Sequence, residues 1–167
     1  MADDLMGEIV EHARNAYKDL GDPDYHFFAD ALACDPWQGL MNELSAFVKV
    51  EDWTDRDNGV SFSYVLVDRH DKSASWSLWL SAVGPFAFLC VNPAQGELRR
   101  QDVLVSPIGS TNSVERQIIG AIGASGARLL DAEAVETSVD FTASDGRFPT
   151  SVFALLFGED DVPWWHE

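Results

Sequence analysis

Apolar residues in the first third of the chain recur at helical spacing. Leu5, Ile9, Ala13, Ala16, Tyr17 and Leu20 fall three and four apart, which lines one face of a helix that Gly21 is expected to stop. Asp22-Pro23 and Asp35-Pro36 each place a capping carboxylate before a proline at the first helical position. They predict helices over 24–33 and 36–48, the second with Trp37, Leu40, Met41, Leu44 and Phe47 as its apolar stripe. The polar stretch 51–59 reads as a turn region, and beyond it the period changes to two. Phe62, Tyr64 and Leu66 alternate with Ser61, Ser63 and Val65; Ala74, Trp76, Leu78 and Leu80 alternate with Ser75, Ser77, Trp79 and Ser81. Serines on one side predict two strands packed on one face only, joined as a hairpin through His70-Asp71-Lys72. Residues 86–91 are apolar at every position, as a central strand covered on both faces would be.

A more polar strand is expected over 98–105. Asn112, with Glu115 three positions on, has the spacing of a capping box for a helix carrying Val114, Ile118 and Ile122. Gly120 and Gly123 weaken that helix by about 1 kcal/mol each relative to alanine, which suggests close approach to another element. A short helical turn over 131–136 follows. Two last strands are expected, over 139–142 and 150–157, with Ser144-Asp145-Gly146 as the turn between them. The whole predicts a single α+β domain over 1–167: an antiparallel sheet of five or six strands, with N-terminal helices and one later helix packed against it.

Charge changes the picture more than composition does. With 28 acidic and 11 basic residues the chain carries a formal charge of −17. Residues 1–58 hold 14 acids and 4 bases, residues 59–109 hold 4 and 4, and residues 110–167 hold 10 and 3. The excess therefore sits at the two ends, around a neutral middle. Such a field repels phosphate backbones and anionic lipid and attracts basic proteins. The only adjacent basic pair, Arg99-Arg100, is flanked by Glu97 and Asp102, so nucleic acid is not an expected partner. A hydrophobic content of 46% belongs to a globular chain, not to an acidic disordered one. No apolar run reaches membrane-spanning length, and the acidic first twenty residues do not read as a signal peptide. Cys34 and Cys90, both among apolar neighbours, read as free thiols, so a reduced, cytoplasmic protein is expected.

Motifs for catalysis and cofactors are not found. The stretch 120–126, GAIGASG, lacks the Lys-Ser/Thr of a phosphate loop and falls within or after a helical pattern; helix packing and a C-terminal stop explain it better. His12, His26, His70 and His166 do not stand at the spacings of helical metal ligands. Asp22, Asp24 and His26 alternate in a way that could hold a cation, although Asp22 is more simply a cap. The loop 52–59 fails as a calcium loop, because Arg56 stands where a ligand oxygen should and Val65 where the bidentate glutamate should. No GxSxG elbow occurs. The expectation is therefore a binding protein without cofactor or metal, and not an enzyme, although carboxylates brought together by the fold could still do acid–base work.

Large aromatics dominate interfaces as well as cores. Trp37 and Trp76 fall on apolar faces and read as core. Trp53 sits among Glu51, Asp52, Asp55 and Asp57, as a contact anchor inside a charged rim would, or as a ring folded back on the core would. Trp79 lies on the serine side of its strand, either covered by a helix or free to anchor a partner. The candidate partner-binding set is Glu51, Asp52, Trp53, Asp55, Asp57 and Trp79. The acidic, Trp-rich stretch 158–167 either docks on its own domain or binds a partner.

An acidic single α+β domain without catalytic motifs, with Ala127-Arg-Leu-Leu-Asp131, the apolar Leu155-Leu-Phe157 and a Pro163-Trp-Trp165 close, resembles the immunity proteins of bacterial toxin systems. The resemblance implies a protein that neutralises a cognate, basic toxin domain by covering its functional surface. It carries no particular binding residue with it. Two other readings fit the same charge: an acidic secretion chaperone, or an inhibitor that mimics nucleic acid. An enzyme with an unrecognised site is a further one.

Overall fold

The computed structural model describes residues 2–18, 24–57, 59–139 and 150–158. It confirms the α+β class. Three helices lead: α1 (Ala2–Tyr17), α2 (His26–Cys34) and α3 (Gln38–Ser45). Four strands follow: β1 (Val48–Asp52), β2 (Ser61–Asp68), β3 (Ser75–Ser81) and β4 (Phe86–Val91). After a 3-10 turn over Arg100–Asp102 come β5 (Val103–Leu104), α4 (Ser113–Ala124), β6 (Arg128–Leu129) and α5 (Ala132–Glu136). The strands β7 (Ser138–Val139) and β8 (Thr150–Ser151) and the helix α6 (Val152–Phe157) complete the described chain. The sheet runs β1-β2-β3-β4-β5, all antiparallel, and β6 joins β4 in parallel beside β5. Strands β7 and β8 form a separate antiparallel pair.

Alternation in β2 and β3 sorts side chains onto two faces. Leu66, Trp76, Leu78, Leu80 and Leu89 meet α2, α3 and α4 on one face, with Phe28, Leu40, Leu44, Ile118 and Ile122 buried against them. Phe86, Phe88 and Cys90 point the other way, onto α1 and α6, where Ile9, Ala13, Tyr17, Phe153 and Leu156 are buried. Strand β4 is thus covered on both faces, as its unbroken apolar run requires. Trp37 and Trp76 are core residues. Trp76 donates its indole N–H to the Glu115 carboxylate at 2.9 Å, and Ser110 Oγ donates to the same carboxylate at 2.7 Å. Asn112 caps α4 by accepting from the Val114 and Glu115 N–H groups. Only half of the capping box forms, because Glu115 turns to Trp76 instead of back to Asn112.

Several sequence expectations are corrected. Residues 150–157 are not one strand: two residues pair with β7, and then Ser151 Oγ accepts from Ala154 N–H at 3.1 Å and starts α6. A short run that is apolar at every position has no period to separate strand from helix. The third helix ends at Ser45, whose hydroxyl turns back to Met41 O at 2.7 Å. Val48 and Val50 then alternate with Lys49 and Glu51 as β1, where a helix end and a polar turn were expected. Asp35 does not cap α3. It closes α2 in the left-handed region (φ 44°), its N–H donating to Ala31 O, and Trp37 takes the N-cap position. The strand expected over 98–105 shrinks to Val103–Leu104, because Asp102 accepts from Arg99 N–H at 2.7 Å and folds the approach into a turn. Gly120 and Gly123 face open space, so no neighbour demands either. Gly126 does act as the stop after α4, at φ +88°. The expected signals at Gly21, Asp22-Pro23, 140–142 and Ser144-Asp145-Gly146 lie outside the described residues, as do Trp164 and Trp165.

The serines of the second face are the largest correction to a sheet packed on one side. Tyr17 Oη, Ser81 Oγ and Ser61 Oγ donate to the carbonyls of Leu155, Leu156 and Phe157 at 2.7, 2.8 and 2.6 Å, all buried. A helix end leaves its last carbonyls without intrahelical partners. Here three consecutive ones are satisfied by side chains from α1, β3 and β2, which seats α6 on the sheet.

Candidate protein interface

Cover over the second face is uneven. At the β4 side α1 and α6 close it. At the β1 side Val65 and Val67 stay partly exposed and belong to neither buried cluster. The strand register places the candidate residues on this part of the sheet. Ser63 pairs with Trp79, Trp79 with Phe88, and Trp53 N–H donates to Ser63 O at 2.8 Å. Trp53, Ser63, Trp79 and Phe88 therefore form one cross-strand row, with Glu51, Val65 and Ser77 as the next.

Trp53 is 68% exposed, so it is not folded back on the core. Beside it, Glu51 is paired with Lys49 at 2.6 Å. The Lys49 hydrogen bond and charge outweigh desolvation and hold the Glu51 carboxyl below its ordinary value. Trp79 is half-buried, its ring 5.7 Å from Phe88 and 6.4 Å from Phe153, so α6 covers it. Of the two alternatives for that residue, helix cover is the one the fold realises.

The acidic loop is ordered by its own carboxylates. Asp52 Oδ1 accepts from Thr54 N–H at 2.9 Å, and its Oδ2 meets Arg56 Nη2 at 2.8 Å. Burial pushes the Asp52 carboxyl up, but the Thr54 bonds and the Arg56 guanidinium outweigh it and hold the carboxyl low. Asp55 Oδ1 accepts from Asp57 N–H at 3.1 Å, and Gly59 N–H closes the loop on Asp55 O. These are side-chain turns of the kind Asp favours. They leave the loop charged and Asp57 exposed. Glu51, Asp52, Trp53, Asp55 and Asp57 thus share one end of the sheet, and Trp79 adjoins them under α6. Val65 and Val67 complete the face. Their place on the serine side of the alternation was the signal for them.

Compared with known proteins, the chain matches no family model, no curated protein and no solved structure.

Other sites are weaker. A groove of about 590 Å³ between the 3-10 turn and α5 is lined by Arg99, Arg100, Val103, Asp131 and Glu133, and all four of these charged residues are exposed. Arg100 is engaged by Glu136 at 2.9 Å. Asp24 accepts from His26 N–H and lies 3.1 Å from Lys18 Nζ, so it serves its own turn. Among the described residues no group of three His, Cys, Asp or Glu side chains could hold a metal, and no helix is long and apolar enough to cross a membrane.

Proposed function

We propose that this protein binds a basic bacterial toxin domain and neutralises it by covering its functional surface. One observation carries the reading: Trp53 is exposed in a loop whose neighbours Glu51, Asp52, Asp55 and Asp57 are carboxylates. Truncating an aromatic anchor at the centre of a contact typically loses about 2 kcal/mol or more. The surrounding charge supplies steering toward a cationic partner and rejection of anionic ones. The acidic loop, Trp53 and the Val65–Val67 strip form the contact, with Trp79 as its support.

The test is to co-purify the protein from its own cell, identify the partner and measure its affinity. The expected partner is a folded, basic domain whose toxicity the protein abolishes, and Trp53→Ala weakens the complex at least about tenfold. Capture of unfolded segments of many exported proteins would replace this reading with the chaperone. Recovery of a small molecule in place of a protein would replace it with the enzyme.

A further inference from the structure

The register of β1 leaves a second recognition element beside Trp53. Trp53 N–H donates to Ser63 O, and on the far side of β2 Asp68 N–H donates to Ala74 O. Hydrogen-bonded pairs alternate along an antiparallel ladder. Lys49, Glu51 and Trp53 therefore aim their backbone groups at β2, while Val50 and Asp52 aim theirs away from the sheet. No other strand lies on that side among the described residues, and no hydrogen bond in the described structure uses the backbone groups of Val50 or Asp52. The opposite side of the sheet differs: β4 is closed by both β5 and β6.

An open edge is usually blunted by proline, a bulge or a lysine that a partner strand would bury. Strand β1 has no proline, and its lysine, Lys49, is neutralised by Glu51 at 2.6 Å. Residues 49–57 carry four acids and two bases, and both bases are paired within the segment. A second copy of this chain would bring another −17 to the same edge, so self-pairing is disfavoured.

Resting on the function proposed above, we propose that a basic, extended segment of the partner adds to β1 as a further strand. Its backbone pairs with Val50 and Asp52, and alternate side chains on one face meet Glu51 and Trp53. Main-chain bonds supply affinity in such strand addition, and alternate side chains supply specificity.

The probe is an acetylated eight-residue peptide of alternating lysine and valine, added to the isotopically labelled full chain while amide exchange is followed. Exchange at Val50 and Asp52 is expected to slow by about tenfold or more at saturation, with Lys49, Glu51 and Trp53 little changed because they already bond to β2. The same peptide N-methylated at alternate residues is expected to give no protection. Val50→Pro removes an outward donor without removing a β1–β2 bond, and is expected to lose the peptide; the methylated peptide on the unaltered protein gives the same information should that variant fold poorly. Unchanged exchange at Val50 and Asp52 at millimolar peptide overturns the proposal, and leaves the toxin-binding reading standing if Trp53→Ala still weakens the natural complex. Equal protection by a glutamate–valine peptide overturns the basic occupant, and with it the charge-steered contact.

Discussion

Trp53 and Trp79 stand on one cross-strand row with Ser63 between them, and only Trp53 is left largely in solvent. Neighbouring strands lie about 4.8 Å apart, so the two rings belong to one face about 10 Å across. Their substitutions separate binding from folding. Trp53→Ala is expected to leave stability within about 0.5 kcal/mol, as for other exposed positions. Trp79→Ala removes the ring beneath Phe153 and is expected to cost about 2–3 kcal/mol, below the full cost of a buried tryptophan. Urea unfolding of both variants checks this; equal losses would show that Trp53 is also structural.

Ser61 and Ser81 test how α6 is held. Each hydroxyl donates to a buried carbonyl at the end of that helix, and replacing either by alanine strands that carbonyl without a donor. Ser61→Ala and Ser81→Ala are each expected to lose about 1–3 kcal/mol. The two carbonyls are consecutive, so the double variant should depart from additivity. The same substitution at Ser73, whose hydroxyl bonds only Asp71 on the surface, is expected to be nearly silent.

How much of this was legible follows from periodicity. The stripe of Trp37, Leu40, Met41 and Leu44, and the alternation from Phe62 to Leu80, placed α3, β2 and β3, because each period is long enough to be unambiguous. The segment Val152–Phe157 was misread as strand because six apolar residues carry no period, and the Ser151 cap outweighs them. Strand β1 was missed because Val48 and Val50 follow a helical stripe without a break in hydrophobicity. For the interface, the acids and Trp53 were visible as composition. The row joining Trp53 to Trp79, and the outward edge at Val50, depend on register, which no local pattern specifies.

Gly120 and Gly123 both lie in α4. A Cβ at either position meets nothing within 4 Å, and neither residue has positive φ. Alanine at each site should therefore remove backbone entropy from the unfolded chain at no steric cost. Gly120→Ala and Gly123→Ala are each expected to stabilise by about 0.5–1 kcal/mol. Melting temperatures check this; a fall in either variant would overturn it.

Alkaline pH should destabilise the fold through its buried phenols. Burial, with the charges of Asp52 and Asp35 adding to it, pushes Tyr64 up to about 12. Tyr17, buried and donating to Leu155 O, is raised further. A raised phenol favours the neutral folded form. Its contribution is complete below the unfolded value of about 10 and is lost as pH rises from there through the folded value. Unfolding free energy is expected to be flat in this respect below pH 10 and to fall above it, with the loss reduced in Tyr64→Phe. Urea midpoints between pH 9 and about 11 check it; a Tyr64→Phe profile identical to that of the unaltered protein would remove Tyr64 from the effect.

Salt is expected to slow association with the partner. A charge of −17 concentrated toward the two ends of the sequence creates a field that a cationic partner meets before contact. Screening shortens that field, from a Debye length of about 10 Å at 0.1 M salt to about 3 Å at 1 M. The on-rate is therefore expected to fall by about tenfold or more across that range, while dissociation, governed by Trp53 and the close contacts, changes far less. Asp57→Asn removes one exposed charge without touching the sheet, so it should lower the on-rate at low salt and do little at high salt. Stopped-flow association with the co-purified partner measures both. An on-rate indifferent to salt would mean that the partner lands elsewhere, and the acidic loop would then have to be read as a solubilising surface.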